Sequence, residues 1–407
     1  MAKQQKESTV KIDLTSQSGL LDNKTESRNT TLIADLTLPA LNEGMTLNSL
    51  KNNYRTIIQS NGIFYPVAFQ FKRELGRGRQ GRVFLGLRQG ARGCITEHAI
   101  KIYDPELYHS AEEYWTDMGR IASQISQLQQ IQSPNLVSRL SYDETYGVGY
   151  VQMEAINGVD LKSLLSRESI ELAKTHSSAE EWKQFTKSLF YVAPFHRNIS
   201  LQPAFVVFIL RNVLRGLERL HAFHFIHSDL KPGNIMVDRL GSVKIVDFGR
   251  AVIAGENLTF LFGSPMYMPP ELHKREKAGP AADLFGVGLV ALELLRGKPL
   301  IDNPEASEEE LLKIKLSLSE NIEKMLPKNV LRDKDLIYIL KKILDPIPAK
   351  RYASAKDAEA GEEGLVEVHK RLTKLGVNTE FERIVSAYLD KLVDEKTSRI
   401  EINIAED

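Results

Sequence analysis

The stretch HSDLKPGN, from His227 to Asn234, sets the carboxylate of Asp229 five residues before the carboxamide of Asn234, with Lys231 between them. A carboxylate can orient a hydroxyl and take its proton, and a carboxamide oxygen can bind a hard cation. Thirteen residues after Asn234 comes a second hard oxygen donor, Asp247, in IVDFGR. Upstream, LGRGRQGRVF holds glycines at Gly76, Gly78 and Gly81 with Val83 two residues beyond, and HAIK ends at Lys101, twenty residues past Gly81. Glycines let a backbone approach phosphates closely, and a fixed ammonium neutralises charge that a metal does not cover. The chemistry these types suit is phosphoryl transfer. Singly, each has a plainer reading: Asp229 as a helix cap, Asp247 as a turn residue, Lys101 as a surface lysine. Their order along the chain carries the argument.

Such groups work only when rigid elements hold them. From Phe71 the sequence FKRELGRGRQGRVFLGL places apolar and β-branched residues on both sides of the glycines, as a hairpin would. A dinucleotide-binding turn would lead into a helix, and a Walker loop would end in Gly-Lys-Ser/Thr. Here the glycines run into a strand. EHAIKIY reads as another strand, and Tyr114, Met118, Ile121, Ile125 and Leu128 recur at helical spacing. GYVQMEAI is a short strand, and NGVD after it reads as a linker. Farther on, PAFVVFILRNVLRGLERLHAF and AADLFGVGLVALELLRG are apolar enough to be buried helices, with the strand SVKIVDF between them. The expected fold class is α+β and bilobal, a small β-rich N-lobe followed by a larger helical C-lobe.

Residues 66 to 356 resemble a eukaryotic-type protein kinase domain of the serine/threonine type. The resemblance implies ATP with Mg2+ or Mn2+ as cofactors and protein substrates phosphorylated on Ser or Thr. It implies Asp229 as the catalytic base, Lys231 steadying the transferred group, and Lys101 gripping the phosphates. Asn234 and Asp247 would hold metal. The nucleotide would lie against Gly76, Arg77, Gly78, Gly81, Val83 and Ala99, with Met153 as gatekeeper, Glu154 to Ile156 as the adenine-contacting hinge, and Asp160 on the ribose. GSPMYMPPE resembles the end of the family's activation segment, Asp283 the helix aspartate that braces the catalytic loop, and Arg351 the partner of the segment-ending Glu271.

Three departures stand out. Ser228 replaces the Arg that usually precedes the catalytic Asp (a non-RD pattern), and serine cannot grip a phosphate bidentately. Control by phosphorylation at Thr259, Ser264 or Tyr267 would then lack its usual receptor, so the expectation is activity without that switch, or control by another part of the chain. The family's helix glutamate, partner of the strand lysine, aligns with Gln124; Glu113 or Asp117 is the alternative if the register differs. Residues 166–202 are longer and more aromatic than the family's usual stretch, either structural padding or a docking surface. The alternative to an active kinase is a nucleotide-binding pseudokinase scaffold.

The remaining features set limits. With 53 basic and 53 acidic residues the chain has no basic excess for nucleic acid, and no apolar run is long enough for a membrane span. The single cysteine, Cys94, excludes an internal disulfide. The default placement is cytoplasmic; delivery into a host cell would suit a pathogen-borne member. Residues 1–63 read as a polar, disordered N-terminal extension broken by two apolar patches, LIADLTLPAL and LNSLKNNYRTII, that could instead pack on the following domain or dock to a partner. The N-lobe is expected over 64–156, the C-lobe over 157–360 with the insertion near 166–202, and a helical extension over 361–407. In that extension Phe381, Ile384, Val385, Tyr388, Leu389 and Leu392 share one face.

Overall fold

Alternating apolar residues build the first lobe. The computed structural model describes residues 45–78, 80–192, 199–255, 265–303, 306–373 and 378–392. Its first elements are α1 (Leu47–Gln59), β1 (Gly62–Ile63), β2 (Phe69–Gly78), β3 (Gly81–Gln89), β4 (Ile95–Tyr103), α2 (Ala111–Leu128), β5 (Arg139–Thr145) and β6 (Val148–Glu154). The six strands form one antiparallel sheet in the order β1-β2-β3-β4-β6-β5. Side chains alternate across a strand, so β4 sends Ile100 and Ile102 to a cluster with Phe69, Phe71, Phe84 and Tyr150. Tyr103, two residues from Lys101, joins the opposite cluster, where α2 contributes Tyr114, Met118, Ile121 and Ile125. The helical stripe read from α2 is thus the buried one.

The disordered reading of residues 1–63 is corrected at α1. Thr46 caps this helix by accepting from the Ser49 N–H, and Leu50, Tyr54 and Ile57 are buried. Tyr54 and Ile57 join the Ile100 cluster, while Leu50 joins that of α2. A polar composition hid a narrow stripe that two sheet-facing clusters bury. The patch LIADLTLPAL lies outside the described residues.

The second lobe begins with β7 (Gly158–Asp160), inside the stretch read as a linker. It pairs with β11 (Ile235–Asp238), which also pairs with β12 (Val243–Ile245). Between them come α3 (Leu161–Leu164), α4 (Arg167–Thr175), α5 (Ala179–Ser188), the hairpin of β8 (Phe190–Val192) and β9 (Ile199–Leu201), α6 (Pro203–Ala222) and β10 (Phe225–Ile226). Later elements are β13 (Val252–Ile253), α7 (Pro270–His273), α8 (Pro280–Arg296), α9 (Glu308–Leu316), α10 (Leu318–Met325), α11 (Lys334–Ile343), α12 (Ala355–Ala360), α13 (Leu365–Thr373) and α14 (Asn378–Asp390). Helices α6 and α8 are largely buried at the centre, and α8 stops at Gly297, whose φ of 70° is left-handed.

The aromatic insertion is structured over its described residues, 166–192 and 199–202. Tyr388 of α14 meets the ring of Phe185 edge-on at 5.5 Å and that of Phe190 at 5.0 Å. Lys391 pairs with Glu181 at 2.8 Å. The insertion and the C-terminal stripe therefore bury each other, and Phe381, Ile384, Val385, Tyr388 and Leu389 all join the large-lobe core. No helix among the described residues is long and apolar enough to cross a membrane.

Candidate active site

The loop carrying Asp229 is held from below by Asp283, in the first turn of α8. Asp283 Oδ2 accepts from the His227 N–H at 2.8 Å and Oδ1 from the Ser228 N–H at 2.9 Å, while His221 Nε2 lies 2.8 Å from Oδ2. Burial pushes this carboxyl up, but the His221 bond and the loop's N–H groups outweigh it, leaving its pKa lowered. The clamp fixes Ser228 at a φ of 62°, a conformation uncommon for a residue with a Cβ. His227 is fully buried, and that burial lowers its pKa. Its Nε2 donates to the Val246 carbonyl at 3.2 Å and its Nδ1 accepts from the Asp229 N–H at 3.3 Å, the pattern of a neutral ring.

Asp229 itself is buried and surrounded by donors. Lys231 Nζ reaches Oδ2 at 2.8 Å, Asn234 Nδ2 reaches the same oxygen at 3.1 Å, and Arg250 donates to Oδ1 at 3.2 Å. Asn234 also donates to the Asp229 carbonyl at 2.8 Å. Both donor positions of its carboxamide are thereby spent on Asp229, which leaves the oxygen for a cation.

The β11–β12 hairpin brings the two metal-donor candidates together. Ile235 pairs with Ile245, and the Val246 N–H donates to the Asn234 carbonyl at 2.9 Å, so Asn234 and Asp247 leave adjacent ends of the hairpin. Asp247 Oδ1 lies 2.6 Å from Lys101 Nζ. Burial pushes the Asp247 carboxyl up, but the Lys101 ammonium beside it holds it well below the usual carboxylate range. Among the described residues no group of three or more His, Cys, Asp or Glu could hold a metal alone. One carboxylate and one carboxamide oxygen are the donor set that suits Mg2+, which keeps waters and takes its remaining ligands from phosphates. The residues fit the group.

The glycine hairpin closes over this point. Gly81 has a φ of 148°, and a Cβ there would meet the Ile102 carbonyl oxygen at 1.9 Å, so this position requires glycine. Gly76 and Gly78 have open space around them; Gly78 pairs with Gly81 and Arg77 with Arg82. Val83 pairs with both Gly76 and Lys101. Gln80 Oε1 accepts from Lys101 at 3.2 Å, tying the hairpin tip to the lysine.

Gln124 occupies the position opposite Lys101 that the spacing favoured. It lines a small cavity with Lys101, Met153, Asp247 and Phe248, and its Nε2 donates to the Ala251 carbonyl. Glu113 and Asp117 are engaged elsewhere, accepting from the His109 N–H and the Tyr108 hydroxyl. Gln124, and neither Glu113 nor Asp117, lines the cavity that holds Lys101. Ala99 pairs with Met153 across β4 and β6. Glu154 turns its carboxylate to Lys244 at 2.5 Å, and Ile156 packs on the large-lobe core. Asp160 caps α3, accepting from the Lys162 and Ser163 N–H groups at 2.9 and 3.0 Å.

At the end of the segment after Asp247, Glu271 and Arg351 form a buried two-bond pair, 2.6 and 2.8 Å. Tyr267 donates to Glu293 at 2.5 Å, whereas Thr259 and Ser264 lie outside the described residues. Lys315 of α9, fully buried, donates to the Pro265 and Met268 carbonyls and lies 3.0 Å from His273 Nε2. Gln80, Arg250, His221 and Lys315 escaped the sequence reading. Gln80 and Arg250 lie inside or beside quoted motifs, but nothing local to them names their distant partners.

The comparisons agree with this geometry. The protein kinase domain signature matches residues 69–360. Serine/threonine-protein kinase pak-1 of Caenorhabditis elegans is 38% identical over 109 residues, 26% of this chain and 19% of that protein. Serine/threonine-protein kinase 1 of Arabidopsis thaliana is 26% identical over 235 residues, 57% of this chain and 23% of the relative. A probable serine/threonine-protein kinase PknB of Lactococcus lactis is 24% identical over 249 residues, covering 60% and 34%. The chain thus spans less than two thirds of the length of these curated relatives. With the signature covering well over half of its residues, the chain belongs to the protein kinase domain family.

Proposed function

We propose that this chain is a serine/threonine protein kinase that transfers the γ-phosphate of ATP to protein hydroxyls without needing phosphorylation of its own activation segment. The observation that carries the reading is the convergence of Asp229, Asn234, Asp247 and Lys101 at the mouth of the β11–β12 hairpin, with Lys101 and Asp247 at 2.6 Å. Asp229 orients the acceptor hydroxyl and takes its proton as the new O–P bond forms and the bond to the departing ADP oxygen breaks. Lys101 and the Gly76–Gly81 hairpin hold the phosphates, and Lys231 steadies the transferred group. Asn234 and Asp247 would hold Mg2+, which supplies charge neutralisation on the phosphates when bound. Ala99, Met153 and the Glu154–Ile156 backbone would take the adenine, and Asp160 the ribose. Positioning and charge account for most of the rate in such a reaction.

Independence from a phospho-switch is supported by Ser228, which has no guanidinium to grip a phosphate and whose backbone N–H is held by Asp283. The test is phosphate transfer from Mg·ATP to generic protein substrates by phosphatase-treated full-length protein. Transfer at undiminished rate supports the reading, and loss after phosphatase treatment contradicts the independence. A second reading, a nucleotide-binding scaffold, draws on Gln124, which bonds to Ala251 and carries no charge for Lys101. Tight ATP binding with no transfer to any substrate would favour it.

A further inference from the structure

We propose that Arg250 makes the acceptor site selective for hydroxyls that lie next to an anionic group, a carboxylate or a phosphate. The inference rests on the kinase reading and deepens it by naming the substrate class.

Asp229 has two cations on one carboxylate, Lys231 at 2.8 Å and Arg250 at 3.2 Å. Counted with the Lys101–Asp247 pair, three cations face two carboxylates among these residues, an excess of one positive charge. Arg250 is well placed to express it. Its side chain is only 11% exposed, held between the loop and the residues after Phe248, so little conformational freedom remains to be lost on binding. A guanidinium carries five N–H donors in a fixed fork. Among the described residues Arg250 gives one hydrogen bond, to Asp229 Oδ1. The part of the side chain that stays exposed is the edge an incoming anion can reach.

An acceptor hydroxyl must come within about 2.6–3.2 Å of Asp229 for its proton to move. Bonded to the same carboxylate, the hydroxyl and the guanidinium lie within one side-chain length of each other. A Glu, Asp or phosphorylated residue flanking the acceptor can then take the open edge of Arg250 in a charge-assisted, two-bond pair. A lysine there meets like charge. Lys231 cannot supply this selectivity alone, because an ammonium lacks the planar fork.

The experiment uses full-length protein and four peptides that differ only beside the acceptor serine, carrying Glu, phosphoserine, Gln or Lys. Specificity constants are measured at saturating Mg·ATP for the wild type, Arg250→Gln and Arg250→Lys. The expected wild-type preference for an anion over Gln is about tenfold. It collapses toward one in Arg250→Gln and is partly restored in Arg250→Lys, whatever these changes do to the absolute rates. The larger of the Glu and phosphoserine ratios identifies the source of the anion. The same peptides with Ala for the acceptor serine are followed by fluorescence anisotropy, which reads the preference with no phosphate moved. Absence of transfer to all peptides would count against the kinase reading, while the anisotropy ratio still decides the role of Arg250. Equal handling of Glu and Gln peptides by the wild type, or an unchanged ratio in Arg250→Gln, overturns the inference.

Discussion

Lys101 and Asp247 meet at 2.6 Å across the cleft, while Gln124, on the helix facing the lysine, gives its hydrogen bond to the Ala251 carbonyl. The lysine is thus held from the metal-donor side and from Gln80 at the hairpin tip. Replacing Gln124 by Glu adds a carboxylate to the same cavity and lets it share Lys101. Asp247 is then relieved of part of its bond, and apparent affinity for Mg·ATP should rise by about threefold or more, since charge-assisted bonds are the stronger ones. Stability should fall by about 1–3 kcal/mol, because Ala251 loses its donor. Steady-state KM for ATP and thermal melts check both; an unchanged KM would mean that Lys101 needs no further partner.

The Glu271–Arg351 pair lies in the interior, with its carboxylate and guanidinium joined by two bonds. Removing one partner strands the other charge. Arg351→Ala should cost about 3–5 kcal/mol in denaturant unfolding. Arg351→Lys should recover less than half, since a lysine cannot make the two-bond contact and would not reach the Ala281 carbonyl as well. A loss below about 1 kcal/mol for Arg351→Ala would contradict this account.

Lys315 gives a pH dependence with a defined sign. Burial pushes its pKa down to about 7, against the opposing charge of Glu308, and His273 beside it is likewise lowered by burial, with Lys315 and Arg275 adding to the effect and Glu308 opposing it. Unfolded lysine titrates near 10.4. Between about 7 and about 10 the unfolded chain therefore binds more protons at this site than the native protein, so stability rises with pH across that window. Below about 7 the cost of the buried charge is fully present. The lowered His273 acts in the same direction below about 6.5. Lys315→Met should flatten the slope between pH 7 and 9 by up to about 1.4 kcal/mol per pH unit. An unaltered slope would remove Lys315 as its origin.

Tyr388 separates packing from polarity at the insertion. Its ring fills the space between Phe185 and Phe190, and its hydroxyl is buried with no partner among the described residues. Tyr388→Ala should cost about 3–5 kcal/mol through the cavity left behind. Tyr388→Phe should be neutral or more stable, by about 1 kcal/mol at most, because no hydrogen bond is lost. Unfolding of the two variants in denaturant distinguishes a packing role from a polar one, and equal losses would refute it.

The geometry of the candidate site was legible where spacing is local. Asn234 and Asp247 sit at the two ends of a short hairpin, so thirteen residues of sequence suffice to bring them together. The same holds for α2, whose stripe is continuous. Packing of LNSLKNNYRTII on the domain was one open reading, but its helix went unread because Leu50, Tyr54 and Ile57 are spaced among polar residues and overall composition outweighed the periodicity. Contacts set by tertiary structure left no such trace. Arg250 reaches Asp229 across 21 residues, Lys315 reaches Pro265 across 50, and Tyr388 reaches Phe185 across the whole large lobe. Side chains of ordinary types acquire these partners only when the lobe closes around them. The insertion's own start signals were readable: Ser178 and Glu181 form a capping box at the head of α5.

The most direct measurement is transfer of labelled γ-phosphate from Mg·ATP to a protein substrate by the wild type, Asp229→Asn and Asp247→Asn, with folding checked by melting. Both changes keep the shape of the side chain and remove its charge. The account predicts transfer by the wild type and a loss of about a hundredfold or more in each variant, with Asp229→Asn still binding ATP. Transfer that survives either substitution at near wild-type rate would contradict it.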